Sequence, residues 1–251
     1  MTRVRVSTDV RGCRTVLLDR ADKRNALDEP FLSELLDVVA SVASDNTVRL
    51  VLLRSTSSIF CAGADLNEWA NVDPRNAQRL SALGSRAFQA LADLPVPVVA
   101  ALEGAALGGG LELALACDIR VGSHECSVGF PEPRLGNSPA WGGMARLIAA
   151  VGPAFARDML LTGDTLGAAD ALRIGVVQRL YDLSEFPSKL ERLIDSIVSC
   201  DPATLTYIKM LLGAPSQSIA AQEAAIAGFT ATRAESRDRK EKFLASRRSK
   251  G

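Results

Sequence analysis

The segment VRLVLLRS at 48–55 is apolar almost without interruption. A strand with apolar side chains on both faces must be covered on both, which is the condition inside a parallel sheet. Helical signals surround it. Residues 28–45 place Asp28 as N-cap and Pro30 in the first turn, with Phe31, Leu35, Val38, Val39 and Val42 on one face. Residues 74–94 read as a second helix, and PVPVVAALEG at 95–104 as the next strand. RVRVS at 3–7 and CRTVLLD at 13–19 read as strands around a turn near Gly12. A helix over 109–116 and strands DIRVGS at 118–123 and CSVGF at 126–130 continue the alternation. Strand then helix, repeated, predicts an α/β layered core with right-handed crossovers.

Beyond residue 139 the pattern is mostly helical, broken at Gly152-Pro153 and Gly163, with one short strand at 176–181. Residues 184–248 read as helical throughout, with one helix starting at Asp201-Pro202 and ending at Gly213 to Pro215. The expected organisation is an α/β core over 1–195 and a C-terminal helical region over 196–251.

Charge excludes several partners. Lys plus Arg and Asp plus Glu each number 29, so no basic field gathers nucleic acid or an anionic membrane. The basic tail at 236–251 reads as a solvated terminal helix. The N-terminus lacks the apolar core of a signal peptide, and no run approaches the roughly 20 apolar residues of a membrane span. Five scattered cysteines without a C-x-x-C pair suggest reduced, mostly buried thiols and a cytoplasmic protein. His124 is the sole histidine and has no ligand cluster around it, so no metal site is expected.

The stretch GAALGGGLELALACDIRV at 104–121 carries the chemistry. Gly108, Gly109 and Gly110 between a strand and a helix let a ligand approach the backbone and present N–H groups at a helix start. A nucleotide-phosphate loop is improbable, because the Gly-Lys-Ser/Thr ending and the G-x-G-x-x-G spacing are both missing. Glu112 follows in a helix whose neighbours Leu111, Leu113, Ala114, Leu115 and Ala116 predict burial nearly all round. A buried unpaired carboxylate is costly, so it has a partner or a task. Glu132, fixed in a rigid loop between Pro131 and Pro133, supplies a second acid; the two suit a shared water and divided acid and base roles. The small residues Ala62, Gly63 and Ala64, ahead of a short helix opening near Asp65, offer a second backbone donor, and donors from two loops suit an oxyanion hole.

At these residues the chain resembles the enoyl-CoA hydratase/isomerase (crotonase) family. The likeness runs through DRADKRNALD at 19–28, FCAGADL at 60–66, GGGLELALACDIRV at 108–121, GFPEPRLGNSPAWGGMARL at 129–147 and LTGDTLGAADALRIGVV at 161–177. Five motifs in the family's order and spacing are very specific. The resemblance implies a crotonase-like superhelix of ββα units, with C-terminal helices that close the site and mediate a homotrimer or a hexamer of two trimers. It implies an acyl-CoA thioester substrate, with coenzyme A arriving as part of that substrate and no separate cofactor. By position, the amides of Ala64 and Gly109 would hold the thioester oxygen. The segment containing Lys23, Arg24 and Ala26, with Ala62, Gly63, Ala64, Asp65 and Leu66, would cradle the nucleotide portion, Lys23 or Arg24 lying near its phosphates. Family hydratases carry glutamates at the positions of Glu112 and Glu132. Keeping both points to hydration of a 2-enoyl-CoA to a 3-hydroxyacyl-CoA, with Glu112 as base and Glu132 as acid.

Some positions depart from the family pattern. Ala140 and Trp141 follow Pro139 where Pro-Gly is common, and they would narrow or reshape the acyl pocket. Asn137 replaces a commonly apolar residue, and Asp238-Arg239 replaces an acidic-Gly pair near the coenzyme-contact candidates Lys242 and Phe243. An isomerase, a thioester hydrolase or an acyl-CoA-binding protein with little turnover are the other readings of the scaffold. A serine hydrolase is rejected, since no strand–turn–helix elbow surrounds Ser138. Trp69 reads as packing or as lining for the acyl channel, and Met144, Met159 and Met210 as core or gap fillers.

Overall fold

The computed structural model describes residues 2–70, 72–213, 233, 234 and 238. Apart from residues 233, 234 and 238, the helical reading of 214–248 lies outside the described residues, as do the positions Arg239, Lys242 and Phe243. The main sheet begins with an antiparallel hairpin of β1 (Val4–Thr8) and β2 (Cys13–Leu18), turned at Gly12 with φ +82°. Helix α1 (Glu29–Ala43) follows, and the Asp28 side chain caps it by accepting from the Phe31 amide at 3.0 Å. Its buried face is Phe31, Leu32, Leu35, Val39 and Val42; Val38 is half-buried and Leu32 takes its place in the core.

Strand β3 (Leu50–Ser55) leads through the short α2 (Leu66–Trp69) into α3 (Pro74–Ala92), and β4 (Val98–Leu102) returns. The chain does not run straight from β4 into the glycines. It turns first, and a two-residue strand, β5 (Ala106–Leu107), leaves the main sheet for a second, small one. Two residues are too short to read from periodicity, which is why this strand escaped the sequence analysis. Helix α4 (Gly109–Leu115), β6 (Ile119–Ser123) and β7 (Ser127–Gly129) follow, then a 3₁₀ turn over Glu132–Leu135 where a rigid loop was expected. The C-terminal half contains α5 (Gly143–Thr162), β8 (Thr165–Gly167), α6 (Ala168–Ile174), β9 (Arg179–Tyr181), α7 (Phe186–Val198) and α8 (Pro202–Leu212). It thus holds two strands where one was expected. Gly152, with φ +76°, kinks α5 ahead of Pro153.

The main sheet has the order β1-β2-β3-β4-β6-β9, parallel after the first hairpin, and β5-β7-β8 form the small sheet. Alternation within β3 and β4 explains their continuous apolarity. Val51, Leu53, Val98, Ala100 and Leu102 join the core with α1 and α3, while Leu50, Leu52, Val99 and Ala101 face Phe186, Leu190, Leu193 and Ile194 of α7. Each large side chain so enclosed contributes about 1.5–3 kcal/mol. The expected boundary at 195/196 falls in the last turn of α7.

Four cysteines (Cys13, Cys61, Cys117, Cys126) are buried free thiols and Cys200 is exposed and free. Met159 is buried, but Met144 and Met210, expected in the core, are on the surface of the single chain. Among the described residues no helix is long and apolar enough to cross a membrane, and no group of three His, Cys, Asp or Glu is placed to hold a metal ion.

Arg120 of β6 is buried with no carboxylate in contact among the described residues; its guanidinium donates to the carbonyls of Val176 at 2.6 Å and Cys117 at 2.7 Å. It thereby closes the C-terminal end of α4. Arg120→Met leaves both carbonyls unsatisfied and is expected to cost about 2–4 kcal/mol, a fall of about 5–10 °C in Tm by thermal unfolding.

Candidate active site

Three segments distant in sequence are stitched together by backbone hydrogen bonds. The Ala62 amide donates to Arg24 O at 3.0 Å, Leu27 to Gly63 O at 2.8 Å and Asp65 to Leu27 O at 2.9 Å. On the other side Cys61 donates to Ala105 O at 3.1 Å, and Leu107 to Cys61 O at 3.0 Å. The loop 61–65 is therefore clamped between 24–27 and 105–107. Asn25 fastens the outer layer: it is fully buried with φ +54°, and its amide nitrogen donates to Ser55 Oγ at 2.7 Å and Phe60 O at 3.0 Å.

This clamping brings the two proposed donors together. Gly63 adopts φ +99°, and a Cβ built there would stand 2.8 Å from Leu107 O and 3.3 Å from the Gly109 nitrogen. Among the described residues, neither the Ala64 nor the Gly109 amide donates to a protein acceptor. Unpaired donors beside a cavity are available to a ligand oxygen.

Parallel pairing of β5 with β7 brings in the second carboxylate. Leu107 is opposite Gly129, and the Gly108 amide donates to Gly129 O at 2.9 Å. The residues that follow each strand then emerge side by side, so Pro131 and Glu132 arrive next to Gly108. A Cβ on Gly108, whose φ is +53°, would lie 2.6 Å from Glu132 Oε1. Arg134 in the same turn pairs with Asp164, tying the turn to the end of α5.

The result is one cavity of about 700 Å³. Its wall includes Ala62, Gly63, Ala64, Leu66, Gly109, Glu112, Glu132, Asn137, Ala140 and Trp141. Lys23, Arg24, Ala26 and Asp65 are outside that wall. The Asp65 side chain instead caps α2, accepting from the Asn67 amide at 3.0 Å, and pairs with Arg20 at 3.0 Å. Sequence reasoning passed over the face of α3, where Ala77, Gln78, Ser81, Ala82 and Ser85 line the cavity. Small and polar residues spaced by three and four, opposite Leu80, Ala87, Phe88 and Leu91, were the available signal.

Glu112 is 2% exposed, and every residue of α4 is buried. Its Oε1 accepts from the amides of Trp141 and Gly143, each at 2.8 Å. Burial raises its pKa; the Gly143, Trp141 and Ala140 amides and the Arg146 charge oppose that rise. At Glu132 the opposing support is its own backbone amide. Its Oε2 is buried with no partner among the described residues, and burial, with Glu112 adding to it, pushes its carboxyl up to about 7. Two carboxyls on one cavity thus have different environments, the condition for dividing acid and base roles.

Trp141 forms the cavity's aromatic wall. Its indole meets Phe88 edge-on at 5.5 Å and Trp69 at 6.3 Å between centroids. Glycines make its seat: a Cβ on Gly109 would lie 2.2 Å from Trp141 Cζ3, and one on Gly84 2.4 Å from Nε1.

A family model described as enoyl-CoA hydratase/isomerase matches residues 10–245. The chain belongs to that family. It is 36% identical over 183 residues to the crotonyl-CoA hydratase of Syntrophomonas wolfei, covering 72% of this chain and 70% of the relative. It is 34% identical over 198 residues to the short-chain-enoyl-CoA hydratase of Clostridium acetobutylicum, covering 78% and 76% respectively. The crystal structure of enoyl-CoA hydratase from Bacillus anthracis superposes with a TM-score of 0.91 at 26% identity, covering 99% of this chain and 97% of that one. The fold is therefore the crotonase fold of this family.

Proposed function

We propose that the chain is an enoyl-CoA hydratase in which the Ala64 and Gly109 amides form the oxyanion hole and Glu112 and Glu132 handle the water. The observation that carries this reading is the meeting of two unpaired amides and two differently held carboxyls on one cavity. Glu112, clamped at Oε1, takes a proton from the water as its oxygen bonds to the β-carbon. Glu132, which holds its proton up to about pH 7, delivers it to the α-carbon. The amides stabilise charge on the thioester oxygen, each worth about 2.7–4 kcal/mol in comparable sites. The proton gained by Glu112 and that lost by Glu132 balance, so one water is consumed. Coenzyme A enters as part of the substrate, and no separate cofactor takes part.

The segment around Lys23, Arg24 and Ala26, hydrogen-bonded to the 62–65 loop, is proposed to bear the coenzyme's nucleotide portion. Exposed Met144, Ile148 and Phe155 on α5, with Ile208, Met210 and Leu212 on α8, support self-association as a homotrimer or a hexamer, and the free thiols support a reducing compartment such as the cytoplasm.

The test follows loss of the conjugated enoyl-thioester absorbance with a short 2-enoyl-CoA. Turnover to the 3-hydroxyacyl thioester supports the proposal. Absorbance that instead appears from a 3-enoyl-CoA, with 2-enoyl-CoA left unhydrated, replaces it by isomerisation. Because Trp141 walls the cavity, Trp141→Ala is expected to raise the kcat/KM ratio of longer over four-carbon substrates by about tenfold; an unchanged ratio places the acyl chain elsewhere.

A further inference from the structure

The hydrogen bonds that hold Glu112 do not end at the two amides. Trp141, Gly142 and Gly143 form a turn around Oε1, with Gly142 in the left-handed region at φ +89°. Glycine adopts that conformation freely and so does not fix the turn, which leaves its contacts to do so. Arg146, one turn into α5, supplies the hold. Its Nη1 donates to the Trp141 carbonyl at 3.0 Å, and its Nη2 to Gln89 Oε1 of α3 at 2.9 Å. A Cβ on Gly142 would stand 2.6 Å from Arg146 Nη1, so the guanidinium packs directly on the turn. Gln89 is fixed in its turn, donating from Nε2 to Asp93 Oδ1 at 2.8 Å. An outer path thus runs from Asp93 and Gln89 through Arg146 to the Trp141–Gly142 peptide, which lies between the two amides that hold Glu112.

We propose that Arg146 is a positioning residue for Glu112, bracing the Trp141–Gly143 turn so that Oε1 stays clamped and Oε2 is presented to the cavity. Arg146 is not on the cavity wall. It acts through the turn and through its charge. The charged or titratable groups acting on Glu112 and Arg146 include Glu132 beyond the cavity, Asp93 at the C-cap of α3 and Cys117 just past α4. Beside the backbone amides, Arg146 is the charged group that favours the Glu112 carboxylate. Removing it raises the pH at which Glu112 ionises.

The role given to Glu112 rests on the hydratase reading, whereas the bracing does not. The experiment therefore has an arm that needs no turnover: ¹³C titration of the Glu112 carboxyl, assigned by its loss in Glu112→Gln. In Arg146→Met the midpoint is expected to move to higher pH, in Arg146→Lys to stay near wild type, and in Gln89→Ala to move less in the same direction. Gln89 is exposed, so that variant reports even if Arg146→Met folds poorly. An unmoved midpoint in both Arg146→Met and Gln89→Ala overturns the proposal. The kinetic arm expects kcat to fall by about 10²-fold in Arg146→Met at little-changed KM, as for a misplaced catalytic group. In the Glu112→Gln background the same change is expected to cost nothing further, and additive losses overturn the proposal. A wild type that hydrates nothing, with the midpoint shift intact, refutes the hydratase reading and leaves the bracing in place.

Discussion

Glu112→Gln and Glu132→Gln are each expected to lower kcat by about 10²–10⁴-fold, the range for loss of a positioned acid or base. Binding should survive, because glutamine keeps the shape of each side chain and its carbonyl can still accept the Trp141 and Gly143 amides. Stopped-flow kinetics and equilibrium binding of a saturated acyl-CoA separate the two effects. The pH profiles should differ in a stated direction. Wild-type kcat/KM should decline as pH rises through about 7, where Glu132 loses the proton it must donate. Glu132→Gln should lack that alkaline limb in its residual rate. A full rate with either glutamine would remove that residue from the chemistry.

The same carboxyl links pH to stability. Its folded pKa of about 7 exceeds the ordinary glutamate value of about 4.5. Its stabilising contribution is therefore complete below about 4.5 and is lost as pH rises through about 7. Glu132→Gln should exceed wild type in stability by about 1–2 kcal/mol at pH 8, and match it at pH 4, after allowance for solvent screening. Denaturant unfolding at the two pH values reads the difference.

Gly110→Ala is expected to damage fold and activity together. The added Cβ would lie 2.3 Å from the Cys61 carbonyl oxygen and 2.9 Å from its carbon, both backbone atoms that cannot swing aside. That carbonyl accepts the Leu107 amide, and its chain continues into Ala62, Gly63 and Ala64. Relief of the clash therefore breaks the bridge and moves the Ala64 amide. A cost of about 3 kcal/mol, as for overpacking a closed interior, should appear in urea unfolding. Activity of the folded fraction should fall by about 10²-fold through the displaced donor. Gly136→Ala is the control. Nothing lies within 4 Å of its Cβ position, so only the strain of φ +73° remains, about 1–2 kcal/mol.

Much of this was legible in the chain. The nearly continuous apolarity of 48–55 announced a strand covered on both faces, and β3 is that strand, with α1 and α3 on one side and α7 on the other. Caps at Asp28 and Asp201 marked helix starts within a residue, because the chemistry that starts a helix is local. The burial of Glu112 followed from its neighbours in α4. Segments whose structure depends on a distant partner were not legible. The strands β5 and β8 are two and three residues long and exist by pairing with β7. Arg146 carries no mark in sequence of the carbonyl it holds, and Asp65 looked like a ligand contact but is used in a cap and an ion pair.

The sequence by itself determined the alternating α/β order, the apolar faces, the glycine run and the two carboxylates. Periodicity and capping act over a few residues and leave their pattern in the chain. Only the tertiary structure decided that Glu112 and Glu132, twenty residues apart in the sequence, share one cavity in unequal environments. Ionisation depends on what surrounds a carboxyl in space: backbone amides and a nearby arginine hold Glu112, while burial leaves Glu132 Oε2 without a partner among the described residues.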